Sequence, residues 1–245
     1  MGPDKKIIEG EVWLIGAFEP EIDLLMVLED QLIDLPIGSG QQKEKFRVRT
    51  FATGVGSLTA ALTVLGRAQE LGAPFEMVFV GSSGAYPNDS EAEAGEAYAF
   101  STRFFGYDVL ALEGRAHIPA PMQVEAAGRT GPVGRWLETE LKKRLKVVYG
   151  AINSTSSVTL AFDAKLEKDK GGAFSKTGMR FENLEAFGVA RAAEKLDAAF
   201  VAITAVTNLV GPDGSRQWQS RHRPMSEQLQ TTLLSILRPT RPENP

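Results

Sequence analysis

The feature that most constrains the fold of this chain is the order in which apolar runs, turns and helix-like stretches follow one another. Residues 11–17 form a short apolar run that contains a glycine near its end, and residues 46–51 alternate apolar and polar side chains. Residues 58–68 then place apolar side chains three and four positions apart, and another apolar run follows at 77–80. The runs and the alternation are typical of strands, whereas the wider spacing is typical of a helix. Strands that alternate with helices predict an α/β domain with a mainly parallel sheet.

The pattern continues along the rest of the 245 residues, which predicts one domain. We expect further strands at residues 96–104, 147–152 and 198–206, and further helices that begin at Pro20 or span 133–145, 182–195 and 225–237. A loop rich in lysine, aspartate and glycine at 165–178 is the best candidate for a flexible flap. The domain is expected to span residues 1–237, and the proline-rich end at 238–245 is expected to be disordered.

Composition excludes several kinds of site. The chain has no cysteine, which excludes disulfides, thiolate metal ligands and a cysteine nucleophile. Two histidines are too few for a multi-histidine metal site, and we interpret His117 and His222 as surface or structural residues. A net charge of −4 favours neither nucleic acid nor an acidic membrane as a partner. Because we find neither a signal-like start nor a membrane-spanning apolar run, we expect a cytoplasmic protein.

Turns rich in glycine or acidic residues follow four of the predicted strands, at residues 16–21, 54–57, 81–85 and 208–214. In open α/β sheets, ligands bind at the carboxyl ends of the strands, where such turns meet. A single turn of this kind is better explained as a tight corner of the chain, but four together favour a ligand site. The side chains expected around one cleft are Glu21, Ser57, Ser82, Ser83 and Asn208.

Five short motifs follow one another along the chain, and their order carries a resemblance. They are Gly16-Ala-Phe-Glu-Pro-Glu21-Ile, Gly54-Val-Gly-Ser-Leu-Thr-Ala-Ala61, Phe79-Val-Gly-Ser-Ser-Gly-Ala85, Glu182-Asn-Leu-Glu-Ala-Phe-Gly-Val-Ala190 and Ala205-Val-Thr-Asn-Leu-Val-Gly211. Their order and spacing resemble the hydrolytic branch of the nucleoside phosphorylase superfamily, which includes the methylthioadenosine/S-adenosylhomocysteine nucleosidases. The resemblance covers residues 12–218. It implies a nucleoside phosphorylase-like domain with a twisted, mixed and mostly parallel sheet flanked by helices.

The resemblance also implies roles for two distant acids in cleaving the bond between a ribose and a purine. Glu21 matches the glutamate that activates water as a general base, and Glu185 matches the glutamate that binds the ribose hydroxyls. Without the family, Glu21 is better explained as an acid favoured by a helix N-terminus. For Glu185 the alternative is a solvated helix residue, which its apolar neighbours Leu184, Phe187 and Val189 disfavour. The other substrate contacts that the resemblance implies are Ser82, Ser83, Gly84, Val55 and Leu184, the last in place of a methionine. The residue expected to face the base is either Val158 or Phe162.

Asn208 stands where adenosine-type nucleosidases have an aspartate that holds and protonates the leaving purine. An asparagine offers an NH2 donor as well as a carbonyl acceptor, which suits a purine with oxygen at its six position, such as hypoxanthine. The sequence around Asn208 and Glu185 resembles that of futalosine hydrolases, which release hypoxanthine in the alternative menaquinone pathway. By itself, Asn208 is also explained as a turn residue at the end of a strand.

The expected activity is therefore hydrolysis of futalosine to hypoxanthine and dehypoxanthine futalosine. A nucleosidase acting on methylthioadenosine or S-adenosylhomocysteine is a second hypothesis, and a catalytically weak nucleoside-binding protein is a third. Phosphorolysis is disfavoured because Glu19 and Glu21 stand where the phosphorylases bind phosphate. The resemblance implies no metal or organic cofactor, and it implies a homo-oligomer, a dimer or larger. The aromatic residues between 100 and 107 offer a contact for such an assembly.

Overall fold

A single mixed sheet forms the centre of the molecule. The computed structural model describes residues 8–36, 43–87, 94–161 and 177–237. The described strands are β1 Ile8–Gly16, β2 Leu32–Leu35, β3 Glu44–Ala52, β4 Glu76–Ala85, β5 Ala97–Ser101, β6 Arg103–Phe105, β7 Glu125–Ala127, β8 Lys146–Tyr149, β9 Ala151–Ser154, β10 Met179–Asn183 and β11 Ala199–Leu209. The described helices are α1 Ser57–Leu71, α2 Val109–Leu112, α3 Pro132–Lys142, α4 Ala186–Lys195 and α5 Gly214–Ile236, with short 3₁₀ helices at Glu19–Glu21 and Leu25–Leu28.

The pairing of the strands brings three carboxyl ends to one edge of the sheet. Strand β1 runs parallel to both β3 and β4, and β4 runs parallel to β11 along ten residue pairs. Antiparallel pairs join β2 to β3, β4 to β10, β5 to β11 and β6 to β7. The sheet is therefore mixed and mostly parallel, which confirms the predicted fold class. The ends of β1, β4 and β11 lie side by side, as expected for a ligand-binding edge.

Helices cover both faces of the sheet, as alternate side chains on β1 illustrate. Trp13 and Ile15 are fully buried in a cluster that includes residues of α1 and α4. Val12 and Leu14 are fully buried on the opposite face, in a cluster with residues of α3 and α5. Burying apolar surface on two faces is the main stabilising contribution to such a domain. No helix in the described ranges is long and apolar enough to cross a membrane.

Several element boundaries near the strand ends differ from the sequence-based predictions. Residues 81–85, predicted as a turn, continue β4 because they pair with β11 and, at their end, with β10. The helix predicted from residue 182 begins at 186, because residues 182 and 183 complete β10. The last helix begins at Gly214 rather than at 225. Its start was not predicted because its first turns are polar and carry no apolar stripe.

Other differences lie further from the strand ends. The helix predicted from Pro20 is two short 3₁₀ helices, and the strands predicted at 96–104 and 147–152 are each divided into two strands. The short elements β2, β7 and α2 were not predicted, because four residues or fewer carry too little pattern. Most of the predicted flap and the whole predicted tail at 238–245 lie outside the described residues.

Candidate active site

A cavity of about 530 Å³ is formed at the carboxyl ends of β1, β4 and β11. This volume lies within the range of pockets that hold small molecules. Its lining includes eight of the nine site residues predicted from the sequence: Glu21, Val55, Ser82, Ser83, Gly84, Leu184, Glu185 and Asn208. The ninth, Phe162, lies outside the described residues, whereas its alternative Val158 lines the cavity and is 48% exposed. Ser57 is not part of the lining, but its hydroxyl donates a hydrogen bond to the Leu184 carbonyl at 2.8 Å.

Glu21 lies in the 3₁₀ helix after β1, where its side chain is almost completely buried. Its Oε1 atom accepts hydrogen bonds from the Ser82 backbone N–H at 2.9 Å and from the Ser82 hydroxyl at 2.7 Å. Its Oε2 atom accepts from the Ala17 N–H at 3.2 Å. A Cβ atom at position 81 would lie 3.3 Å from Oε2, so Gly81 leaves room for the carboxylate. The end of β4 therefore both orients Glu21 and makes space for it.

The surroundings of Glu21 bring its ionisation close to neutral pH. Burial raises the pKa of its carboxyl from the ordinary value of 4.5 to about 8, against the hydrogen bond from Ser82, which lowers it. The nearby carboxylate of Glu185 raises the pKa further by repulsion. A carboxyl that exchanges its proton near neutral pH is suited to act as a general base or acid.

Glu185 is held immediately before the first turn of α4. Its Oε1 atom accepts a hydrogen bond from the backbone N–H of Gly56 at 3.0 Å, at the start of α1. The positive end of that helix favours a carboxylate in this position. Burial nevertheless raises the pKa of Glu185, and the Gly56 N–H partly offsets this. The side chain is therefore a fixed, buried acceptor, and the alternative of a solvated helix residue is wrong.

Asn183 supports this arrangement, although sequence analysis assigned it no role. Its Oδ1 atom accepts from the N–H groups of both Glu185 and Ala186 at 2.8 Å. Its Nδ2 atom donates to the Ser82 carbonyl at 3.0 Å. One side chain thus connects the start of α4 to the end of β4. The available signal was an asparagine three residues before the first residue of α4, because an asparagine side chain often accepts from backbone N–H groups two and three positions on.

The start of α1 packs directly against the start of α4. Gly188 makes this possible, because a Cβ atom at this position would lie only 1.9 Å from the Ser57 carbonyl oxygen. The two helix starts bring Val55, which precedes α1, and Leu184, which precedes α4, to the same cavity. The site therefore depends on close backbone contact between two helices.

Asn208 lies near the end of β11, in a slot between two glycines. A Cβ atom at Gly84 or Gly214 would lie 2.8 or 3.2 Å from its Nδ2 atom. The Nδ2 atom donates to the Leu209 carbonyl at 3.0 Å, and Oδ1 accepts from the Thr207 hydroxyl at 2.9 Å. These bonds fix which end of the amide is the donor. They use one of the two N–H bonds of the NH2 group and leave the other for a ligand.

The cavity is acidic. Its described lining holds the carboxyls of Glu21, Glu182 and Glu185 and no lysine, arginine or histidine. Glu182 is buried and accepts hydrogen bonds from the Thr159 N–H at 3.0 Å and the Tyr86 hydroxyl at 3.2 Å. Burial raises its pKa as well. Such a lining favours neutral or positively charged ligands and disfavours anions. Within the described ranges, no three acidic or histidine side chains are grouped closely enough to hold a metal ion.

Aromatic side chains complete one wall of the cavity. Phe18 and Trp218 both line it, with ring centroids 6.3 Å apart. The ring of His222 stacks on Trp218 at 4.0 Å with an angle of 11° between the planes. Sequence analysis gave neither Phe18 nor Trp218 a role. Trp218 was difficult to find because the last helix was predicted to begin after it.

Comparison with known proteins gives no sequence match. No protein-family model and no curated protein sequence matches the chain. Solved structures do match, as three examples illustrate. The first is the methylthioadenosine/S-adenosylhomocysteine nucleosidase of Neisseria meningitidis in complex with methylthio-immucillin-A. It has a TM-score of 0.67 and 19% identity, and the match covers 92% of this chain and 97% of that one.

The second is the native futalosine hydrolase of Helicobacter pylori, with a TM-score of 0.68 and 13% identity over 92% of this chain and 96% of that one. The third is a mutant nucleosidase of the same organism with 5′-methylthioadenosine in its active site. It has a TM-score of 0.68 and 14% identity, and the match covers 93% of this chain and 97% of that one. The chain therefore has the fold of these three proteins, which is the nucleoside phosphorylase-like fold that its five motifs predicted.

Proposed function

We propose that this chain hydrolyses the N-ribosidic bond of a purine nucleoside. The proposal is carried by one observation: Glu21, Glu185 and Asn208, far apart in the sequence, line a single cavity. Their residue types fit the three tasks of the reaction, which are to activate water, hold the sugar and stabilise the leaving base. The similarity in fold to the nucleosidases and the futalosine hydrolase described above supports the same function.

Glu21 and Glu185 act on the sugar. As the bond between the sugar and the base breaks, its electron pair leaves with the base and positive charge develops on the ribose ring. Water then forms the new bond to the anomeric carbon, and Glu21 takes the proton that this water loses. Glu185 accepts hydrogen bonds from the ribose hydroxyls. Because both carboxylates lie in a buried site, they stabilise the positively charged transition state more than the neutral substrate.

Asn208 acts on the base. Its remaining N–H donates to an acceptor on the purine, which stabilises the negative charge that the base acquires as it leaves. An NH2 donor is complementary to a 6-oxo group but not to the 6-amino group of adenine. We therefore propose a nucleoside of hypoxanthine as the substrate, and futalosine in particular, by its resemblance around Asn208 and Glu185. The described lining of the cavity holds carboxyls and no cationic side chain. Because phosphate is an anion, this lining favours water as the nucleophile.

The test is to identify the base that the purified protein releases from futalosine, inosine, methylthioadenosine and S-adenosylhomocysteine. We expect hypoxanthine from futalosine, and a loss of at least about a hundredfold in rate for Glu21→Gln. The matched control is Glu19→Gln, because Glu19 is an exposed glutamate in the same 3₁₀ helix. Its rate should equal that of the parent.

Two other outcomes would contradict the proposal in different ways. Release of adenine from methylthioadenosine, without release of hypoxanthine, would reject the assigned base and support an adenosine-type nucleosidase. Tight nucleoside binding in calorimetry with no released base would reject hydrolysis and support a binding protein.

A further inference from the structure

Trp218 lines the cavity, and its side chain donates a hydrogen bond there. The proposed reaction gives this hydrogen bond no role. Its indole Nε1–H lies 3.0 Å from the Ser82 hydroxyl oxygen, and that hydroxyl lies 2.7 Å from Oε1 of Glu21. An indole nitrogen is only a donor, and a serine hydroxyl has one proton. Because Ser82 accepts from Trp218, its own proton is directed to Glu21. The direction of both hydrogen bonds is therefore fixed when the Glu21 carboxyl is ionised, because a carboxylate only accepts.

The indole ring is itself held in place. His222, one turn further along α5, stacks on it at 4.0 Å, and Nδ1 of His222 lies 3.2 Å from the Trp218 carbonyl oxygen. The ring of Phe18 lies on the cavity wall beside both. A ring held by these contacts keeps its N–H directed at the Ser82 oxygen.

We propose that Trp218 is a positioning residue that acts through Ser82 to orient the Glu21 carboxylate. The catalytic part of this inference rests on the function proposed above. Ser82 supplies two donors to Oε1, whereas Oε2 accepts one longer bond, from Ala17. Oε2 is thus the oxygen with the weaker bonding in the described structure, and we assign it the proton of the attacking water.

The same hydrogen bonds affect the ionisation of Glu21. Donors to a carboxylate favour its charged form, so Trp218 assists ionisation by making Ser82 a better and better-directed donor. The charged group that acts on this carboxyl is Glu185, immediately before α4. Glu182 of β10 is a further acid in the lining of the same cavity. On α5, His222 is the titratable group in contact with Trp218.

The experiment measures the protonation of Glu21 in the ligand-free protein. Infrared difference spectra recorded against pH report its carboxyl band, which is identified because Glu21→Gln lacks it. We expect Trp218→Phe to raise the pKa of Glu21 by about half a unit, and Ser82→Ala to raise it by about one unit. The double variant should match Ser82→Ala, because Trp218 then has no hydroxyl through which to act. Trp136→Phe is the matched control, a half-buried tryptophan on α3, and should cause no shift.

Other results would overturn the proposal. If the ring only keeps water away, the smaller phenylalanine admits water and the pKa falls instead of rising. An unchanged pKa of Glu21 in Trp218→Phe would also reject the action of Trp218 through Ser82. So would a rise of equal size when Trp218→Phe is added to Ser82→Ala. Should Trp218→Phe fold poorly, 3-benzothienylalanine at position 218 keeps the shape of the ring and removes the N–H.

Activity provides a separate readout. The acid limb of kcat/KM for hypoxanthine release should move by the same amount as the spectroscopic pKa. If the parent releases no base from any nucleoside tested, the proposed function fails, and the infrared titration still decides whether Trp218 acts through Ser82.

Discussion

Single residues in this site derive their chemistry from burial as much as from residue type. Glu21, Glu182 and Glu185 are all buried, and burial raises the pKa of each. Under the proposed function, the raised pKa of Glu21 has a direct consequence, because a general base must lose its own proton before it can take one from water. At neutral pH the larger part of the ligand-free protein then holds this carboxyl in its protonated form.

The rate should therefore depend on pH in a defined direction. With the pKa of Glu21 raised to about 8, kcat/KM for base release should increase with pH up to about 8 and then level off. Steady-state rates measured in overlapping buffers would establish the profile. A rate that instead falls as the pH rises through about 8 would assign Glu21 the part of a proton donor.

Stability should change in the opposite direction. The pKa of Glu21 is 4.5 in the unfolded chain and about 8 in the folded chain. Between these two pH values, the folded chain holds a proton on Glu21 that the unfolded chain has lost. The stability from this proton is complete below about pH 4.5 and is lost as the pH rises through 8. Glu21→Gln does not titrate at this position, so its stability relative to the parent should increase by a few kcal/mol between pH 5 and pH 9. Urea unfolding at each pH measures the difference, and a constant difference would contradict the cause given for the raised pKa.

A single amide should determine which base is released. In Asn208→Asp the NH2 donor is replaced by a carboxyl that accepts from a 6-amino group. We expect the ratio of kcat/KM for hypoxanthine nucleosides to that for adenine nucleosides to fall by about tenfold or more. Competition between inosine and adenosine, followed by chromatography, measures the ratio. Equal losses on both substrates would mean that Asn208 does not contact the six position.

Sequence analysis identified those residues that belong to recognisable motifs. Glu21, Glu185 and Asn208 are motif residues, and all line the cavity. Asn183 lies within a motif and Trp218 at the end of the resemblance, but neither position shows which groups the side chain contacts. Each side chain donates a hydrogen bond to an atom of Ser82 at 3.0 Å. These distances arise only from the three-dimensional packing of the chain.

At the scale of elements, the contact between α1 and α4 positions Val55, Leu184 and Glu185 in the lining of the cavity. Gly188→Ala would place a Cβ atom 1.9 Å from the Ser57 carbonyl oxygen, so the helices must separate. We expect a loss of about 2–4 kcal/mol in the free energy of unfolding, since overpacking against backbone has little room to relax.

The matched control is Gly66→Ala within α1. An added Cβ atom at this position meets nothing within 4 Å, so the substitution should stabilise the protein by up to about 1 kcal/mol. Chemical denaturation of both variants measures the two effects. Equal stabilities for the two variants would mean that the helices do not need this contact.

Element type was more predictable than element boundaries. The spacing of apolar residues identifies α1 and β11 well, because each is long and strongly patterned. The same spacing did not predict the start of α5, because its first turns are polar. It also did not predict that β4 continues to Ala85, because two glycines interrupt the apolar run. Those two errors fall at the cavity, where residues serve contacts with a ligand rather than with the core.

At the scale of the whole molecule, the order of strands and helices was enough to predict the fold class, whereas strand neighbours and register were not. The adjacency of β4 and β11, which places Gly84 opposite Asn208, depends on pairing across more than a hundred residues. A sequence pattern carries no information on which distant strand becomes the neighbour.

The charge of the cavity gives a prediction for the complete reaction. Inorganic phosphate should neither accelerate base release nor appear in the sugar product, because the described lining offers it three carboxyls and no cation. Mass spectrometry of the sugar formed in phosphate buffer and in phosphate-free buffer measures this. A sugar phosphate among the products would reject hydrolysis.

The same acidic lining has a consequence for selectivity inside a cell. The abundant purines of metabolism are mononucleotides and their di- and triphosphates, and all of them are anions. Every carboxyl of this lining that is ionised repels them, whereas an uncharged nucleoside is not repelled. Under the proposed function, the charge of the cavity alone would then favour the nucleoside over the nucleotides.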